Sequence, residues 1–432
     1  MGQVFTVDLF KPLGGVNTYS RALAAFLVPL EGEPLVSHLR IVDKYSVAPA
    51  TTYLGAEFPK VLAKPEVDYK QANLTVPSIV QSIFNPPEGK GPYDYVFDLT
   101  GEVRHDRTEM ILINTTCNVA RMLGQEAAKR KVKAYVRVTL PFYETTSKGT
   151  HDEKDDPKPD GTIGTWWHET LRMLAAIEEC VVAFPLPFIS STEISSLNLV
   201  ILRVGFVYGP YVEFGDITSA ITVGSVYGYL KKPMKSVWSP GKNPTNTLHV
   251  EDLAGAAWAS ATWMASLGRK EADSLAGESI IFHNEKSKVS QVEGMPPHDS
   301  KLVAPLFNLV DDSNSTLLSV GQTVTSFFGT TFDFFNLGER TMYKFMDDAV
   351  EDINEHHVGG WTQMIQSSNP PIPNTPLSAY MDKYALEKHI VALSNTKIKE
   401  VIGYKLKRPQ FNHDGIKDIV DKWKEEGNWP IL

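Results

Sequence analysis

Along the first half of the chain, short β-rich runs alternate with helical patterns, and that order is the signature of a parallel sheet with helices on both faces. Gln3–Val7 reads as the first strand, and Thr18–Leu30 follows as a helix with apolar residues at Leu23, Ala24, Phe26 and Leu27. Leu39–Asp43 is a second strand, ending on a carboxylate. Val67–Gln71 is a third, Tyr95–Leu99 a fourth and Ala134–Thr139 a fifth. Between the last two, Met110–Lys129 carries Ile113, Cys117, Ala120, Leu123 and Ala127 at helical spacing. Leu199–Val204 is a sixth strand, after a helix spanning 166–182. Six strands with their crossovers predict a doubly wound α/β domain.

Beyond Tyr208 the alternation loosens. Helices are predicted over 215–230 and Val250–Leu267, and an amphipathic one over 416–427, with Ile419 and Val420 opposite Lys417, Asp421 and Lys424. The run Asn369–Pro376 can be neither helix nor central strand, because its prolines lack donors and restrict the residues before them. Thr145–Gly161 and Glu285–Lys301 are polar and irregular, and read as an exposed loop or lid and a loop insertion. The division expected is 1–210 for the sheet domain, 211–340 for a smaller lobe interleaved with it, and 341–432 for a C-terminal extension.

A chain of 432 residues can bury a large core without disulfide or metal staples. With 42 Lys+Arg against 51 Asp+Glu, its net charge of −9 argues against nucleic acid, which demands a basic face. Two cysteines, Cys117 and Cys180, are too few for a disulfide framework and suit a reducing compartment. No basic n-region precedes an apolar stretch at the start, and runs such as Leu197–Val207 are broken by Arg203 and fall short of a membrane span. The expectation is a cytoplasmic protein without membrane partners. The myristoylation-like Met1-Gly2…Thr6 is outweighed by the buried strand it would have to leave.

Several segments together resemble the extended short-chain dehydrogenases, the NAD-dependent epimerase/dehydratase family. Ile41-Val42-Asp43-Lys44 closes the second strand. Gln71-Ala72-Asn73-Leu74 stands where that family carries its adenine-contacting Asp-Leu, and Asp98-Leu99-Thr100-Gly101 looks like its Asn/Asp-Leu-Ala-Gly. Leu202-Arg203-Val204-Gly205-Phe206-Val207-Tyr208-Gly209-Pro210 is similar to its Leu-Arg-Pro-x-x-Val-Tyr-Gly-Pro, and Leu248-His249-Val250-Glu251-Asp252-Leu253-Ala254 to its Val-His-Val-Asp-Asp-Val-Ala. The resemblance implies a Rossmann-like lobe, a smaller C-terminal substrate lobe with a helical extension, and dimerisation through the helices flanking strands four and five. It also implies a dinucleotide cradled by Gly14, Gly15, Asn17 and Ser20, with Asp43 on a ribose diol, Asn73 near the adenine, and Thr100 and Gly101, after the fourth strand, among the cofactor contacts. Asp43 disfavours a 2′-phosphate, so a cofactor, if one binds, is NAD rather than NADP.

The chain departs from the family where chemistry is done. In the phosphate loop, Asn17 and Ser20 replace two glycines whose missing Cβ atoms let a pyrophosphate approach. The Tyr-x-x-x-Lys pair of the catalytic helix is absent: Gly164 takes the tyrosine position and His168 the lysine position. Tyr227 and Lys231 repeat the spacing, but on a helix of the other lobe. Val204 replaces the proline that the family places near its nicotinamide.

What remains at that place is His168, Thr139, Tyr143 and Glu102, a set suited to acid/base work because imidazole titrates near neutral pH. Phe142, Trp166, Trp167, Arg104, Val204 and Tyr208 would line an apolar or aromatic substrate pocket. Trp166 and Trp167 are adjacent, so one helix face cannot bury both and one is expected to face the cleft. Against these stand blander readings: a surface His-Glu pair at His168 and Glu169, a surface ion pair at Glu102 and Arg104, and ordinary core packing of the aromatics. Asp348, Asp352 and His356 share a helix face but form a solvated acidic stripe rather than a metal site. Three functions stay open: a non-redox acid/base enzyme on an apolar small molecule, an NAD-dependent oxidoreductase or epimerase using Thr139 and Tyr143, and a catalytically silent binding or scaffold protein.

Overall fold

The computed structural model describes residues 2–8, 18–178, 196–339 and 349–432. The loop candidates Gly14, Gly15 and Asn17, together with Cys180 and Asp348, lie outside them.

The main sheet contains β1 (Gly2–Asp8), β2 (Val36–Asp43), β3 (Val67–Gln71), β4 (Tyr95–Leu99), β5 (Ala134–Thr139), β6 (Leu199–Val204), β7 (Gly277–Ser279) and β8 (Val303–Leu309). Their order across the sheet is β7-β8-β6-β5-β4-β1-β2-β3. Every neighbouring pair is parallel except β7 with β8. β5 and β6 are buried at every residue, as strands covered on both faces must be, whereas the edge strand β3 keeps an amphipathic, half-exposed sequence. The order reverses between β1 and β4, which opens the crevice where ligands bind in such sheets.

β8 escapes the sequence pattern because Pro305 sits in its middle, and proline cannot donate to a ladder. The structure accommodates it by starting the β6 ladder one residue later, at Leu306 opposite Ile201. Helices Thr18–Leu27 and Val250–Leu267 cover one face of the sheet; Asn118–Lys129 and Gly161–Ala175 cover the other. The first segment of the latter pair starts as Glu109–Leu112 and passes through a π-helical turn, Ile113–Cys117. Thr116, in that turn, accepts a hydrogen bond from the Glu102 backbone N–H at 3.0 Å.

The second lobe forms its own core from helices Asp216–Leu230, Leu317–Phe327, Ala349–Gln366 and His413–Glu425, with Trp361, Trp423 and Trp429 at its centre. The C-terminal residues are thus built into this lobe, sharing one core with Phe206, Ile217 and Val324.

Two irregular segments are tied down rather than free. In Thr145–Gly161, the Glu153 carboxylate accepts from the Asn308 N–H at 2.7 Å, and His151 exchanges backbone hydrogen bonds with Ala392 and Ser394. That stretch is a strap, not an open lid. Residues 280–301 lie over the two helices expected to meet a second copy: Arg172 donates to the carbonyls of Ile280 and Pro297, and Gly294 packs on Arg121. Among the described residues, no helix is long and apolar enough to cross a membrane, and no group of three His, Cys, Asp or Glu side chains gathers that could hold a metal.

Under the sheet's carboxyl edge, Asp98 and Arg137 form an ion pair of 2.9 Å with both side chains fully buried. The carboxylate also accepts from the Tyr135 hydroxyl at 2.7 Å and from the Thr100 N–H at 2.9 Å. Removing one member strands the other charge in low dielectric. Asp98→Ala is therefore expected to lower unfolding stability by about 3–5 kcal/mol. A urea-denaturation loss under about 1 kcal/mol would show that the pair is not holding β4 to β5.

Candidate functional site

β4, β5 and β6 end side by side, and the residues just beyond them converge. His105 follows β4, Phe142 and Tyr143 follow β5, and Phe206 follows β6. Tyr143 is buried, with the Thr139 hydroxyl beside it and the Arg203 guanidinium 4.8 Å from its ring. Burial is the larger influence on the Tyr143 phenol and pushes its pKa up, against the pull of Arg203. Thr139 and Arg203 are register partners across β5 and β6.

His168 lies above this group, 3% exposed. Its Nε2–H donates to the Ile281 carbonyl at 2.6 Å, which leaves Nδ1 to accept from the Tyr143 hydroxyl at 3.4 Å. Burial pulls its pKa down to about 3, so the imidazole is neutral across the physiological range. His168 and Tyr143 are brought together as the sequence suggested, in a buried, internally satisfied pair.

The two tryptophans correct an expectation. Neither faces the cleft: Trp166 and Trp167 are 0% and 1% exposed. The helix Gly161–Ala175 is covered on nearly all sides, so adjacent residues can both be buried. The Trp166 indole N–H donates to Glu109 at 3.0 Å and that of Trp167 to the Glu102 carbonyl at 2.8 Å. Glu102 does not reach the cluster either. Its carboxylate accepts from the N–H groups of Val103 and Arg104, both at 3.1 Å, and so closes a local turn. Arg104 pairs at the surface with Asp106. Val204 is interior to the sheet, and Tyr208 is buried against Phe411 and His249 in the second lobe. Phe142 is buried too, meeting His105 at 5.5 Å and Tyr384 at 6.4 Å between ring centroids.

At the dinucleotide end, Asp43 is fully buried; one carboxylate oxygen accepts from the Tyr45 N–H at 3.2 Å and the other has no partner among the described residues. That orphaned oxygen fits a ribose hydroxyl. Ser20 is buried with no partner for its hydroxyl among the described residues, Thr100 is engaged by Asp98, and Asn73 is exposed, its side-chain oxygen taken by Thr75. Gly101 adopts φ +144°, and a Cβ there would lie 2.4 Å from the Trp167 ring.

The largest surprise is a cavity of about 310 Å3 on the second-lobe side of the cleft. Its walls are apolar: Phe206, Ile217, Trp238, Val324, Phe332 and Phe335. Asp216, Tyr227, His357 and His389 bring polar groups to it, and the Tyr227 hydroxyl lies 3.3 Å from His357 Nε2. One wall belongs to the C-terminal segment 381–389. Tyr384 in that segment stacks on His105 at 3.6 Å, Trp238 donates to the Leu386 carbonyl at 2.8 Å, and Asn243 donates to the His389 carbonyl at 2.8 Å. Sequence reasoning passed over Asp216 and His389. The signal available was that Asp216 is the sole charged residue in the helix Asp216–Leu230.

No known sequence family matches the chain, and no curated protein matches it either. By three-dimensional shape it is similar to a double mutant of DesIV, a dTDP-glucose 4,6-dehydratase from Streptomyces venezuelae with NAD bound, at TM-score 0.56 and 14% identity, covering 99% of this chain and 98% of that one. It is similar to MoeE5 in complex with UDP-glucose and NAD, at TM-score 0.56 and 12% identity, covering 98% and 99%. It is also similar to a UDP-glucose 4-epimerase from Thermotoga maritima with UDP-glucose, at TM-score 0.54 and 13% identity, covering 97% and 99%. The chain has the extended short-chain dehydrogenase fold, that of the NAD-dependent epimerase/dehydratases.

Burial pushes the Asp43 carboxyl up to about 7, whereas in the unfolded chain it titrates as an ordinary carboxylate. As pH rises between those two values, the unfolded state releases a proton that the folded state keeps, so stability falls and then levels off. Asp43→Asn should abolish that part of the decline when urea midpoints at about pH 5 and about pH 8 are compared. Equal pH dependence in both proteins would contradict a buried, proton-retaining Asp43.

Proposed function

We propose that this protein is a non-redox enzyme on a dehydrogenase scaffold, acting by acid/base chemistry on an apolar small molecule, through isomerisation, cyclisation or elimination. The observation that carries this reading is the fit around Gly164. A Cβ at that position would lie 2.6 Å from the Phe142 carbonyl oxygen, so the tyrosine that the resemblance implies there has no room to stand. Four residues on, a neutral buried imidazole replaces the lysine. With its nitrogens committed to Ile281 and Tyr143, His168 serves as a positioning residue for Tyr143 rather than as the proton carrier first expected of it. Substrate contact is assigned to the cavity beside Phe206, where aromatic walls meet Asp216 and His389.

A second reading has one observation in its favour. The Asp43 oxygen that has no partner among the described residues would hold an NAD ribose, and Thr139 and Tyr143 stand where a hydroxyl pair could serve a reacting carbonyl. NAD, when bound, would supply hydride transfer. This chain's residues would fix its ribose end, while the nicotinamide end meets neither the tyrosine nor the lysine of the resemblance.

Mass spectrometry of small molecules released from the purified protein, with calorimetric titration of NAD and NADP, separates the two. The expected result is an apolar compound released from the protein, and no change in nicotinamide absorbance with alcohols, ketones or sugar nucleotides, whether or not NAD binds. Turnover of the nicotinamide with any of these would overturn the non-redox reading. His168→Gln should alter stability more than turnover of the released compound; abolished turnover in a folded variant would return His168 to the chemistry.

A further inference from the structure

We propose that Arg203 holds the carboxylate of a ligand at the carboxyl edge of β5 and β6, a second binding point apart from the cavity beside Phe206, whose lining does not include it. Such a site goes beyond the functional reading above and would stand if that reading failed.

Six arginines among the described residues are buried. Five have a carboxylate within ion-pair distance: Arg21 has Glu213, Arg40 has Asp68, Arg137 has Asp98, Arg172 has Glu169 and Arg269 has Asp273. Arg203, 5% exposed, has no carboxylate at that distance among the described residues, and its Nε and Nη1 have no hydrogen-bond partner there either. A guanidinium cannot shed its proton as a buried lysine can, so the cost of taking this charge out of water stands in full. A ligand anion would complete the pair that each of the other five arginines finds within the chain.

The neighbours of Arg203 set what that ligand presents. Thr139 and Asn308 are its register partners on β5 and β8, so the three side chains stand in one row on one face of the sheet. Asn308 Oδ1 is buried with no partner among the described residues, the Thr139 hydroxyl can give or accept, and the Tyr143 ring lies 4.8 Å from the guanidinium carbon. Burial keeps the Tyr143 phenol protonated, so it leans on the Arg203 charge without neutralising it. Glu153 feels the same charge, but it stands beyond ion-pair distance and accepts from the Asn308 N–H at 2.7 Å. One unpaired cation beside an acceptor oxygen and a nearby carboxylate suits a monoanion. A phosphate dianion would meet Asn308 Oδ1 and Glu153 with a single cation to offset it. The planar, forked donor set of the guanidinium matches the two oxygens of a carboxylate.

Calorimetry and urea denaturation of the full-length protein, at fixed ionic strength, test the site with three probes: acetate, its uncharged isostere acetamide, and methylphosphonate. The wild type is expected to bind acetate at least about tenfold more tightly than acetamide, the difference that a charge-assisted hydrogen bond makes. Acetate should also raise its urea midpoint by mass action. Arg203→Met should abolish both effects. Without any probe it should unfold at the same urea concentration as the wild type or a higher one, because the side chain removed is a charge without a counter-charge. If Arg203→Met does not fold, Arg203→Gln, which keeps an N–H donor toward the Tyr143 hydroxyl, reads the same loss of acetate binding.

Equal binding of acetate and acetamide by the wild type, or an undiminished acetate preference in the variant that folds, would overturn the site. A preference for methylphosphonate over acetate would overturn the choice of a carboxylate. A lower urea midpoint of folded Arg203→Met without probe would show that the Tyr143 ring already offsets the charge, and would overturn the need for an anion. None of these outcomes bears on the cavity beside Phe206.

Discussion

The structure turns on how closely the helix Gly161–Ala175 lies against the carboxyl edge of the sheet. Gly164 touches the Phe142 backbone, and four residues of helix bring His168 over Tyr143. Between them, Trp167 fills the space that Gly101 leaves open, and the Arg137 guanidinium lies 4.7 Å from its ring. That contact closes the helix against the loop that follows β4. Buried charges and rings there are paired in part, Asp98 with Arg137 and His168 with the Ile281 carbonyl, because an interior of low dielectric penalises a charge left alone.

Sealing one side shifts attention to the other. The C-terminal segment 381–389 crosses the cleft, places Tyr384 on His105, and leaves behind it a largely apolar cavity that Asp216 helps to line. The same lobe contributes the walls and the core that steadies them, because Trp361, Trp423 and Trp429 pack directly beneath the helices that line the cavity. A cavity whose wall is donated by the last part of the chain depends on that part being docked.

Much of the fold was readable beforehand. The boundaries of β3, β4, β5 and β6 agree with the sequence pattern to the residue, since each is a run rich in β-formers bounded by polar or turn residues. β8 was not readable, because Pro305 argues against a strand and only its place at the start of a ladder makes it admissible. Of the candidate site, Tyr143 and His168 were found because position along the fold brings them together. Trp166, Trp167, Glu102 and Arg104 were drawn toward the cleft by the same positional argument. Their neighbours claimed them instead: Glu109 and the Glu102 carbonyl took the indoles, a local turn took Glu102, and Asp106 took Arg104.

The sequence by itself determined the layers: alternating strand and helix patterns, motif order and the carboxylate at the end of β2 can be satisfied by few arrangements, since hydrophobic periodicity and turn residues act locally. It also determined that a glycine stands at 164 and a histidine at 168 on the helix Gly161–Ala175. Only the tertiary structure decided that position 164 has no room for a side chain, that His168 is held neutral, and that Asp216 and His389 share a cavity. Those facts depend on contacts between segments far apart in the chain and on burial, which sets the protonation of an acid or an imidazole and which no local pattern records.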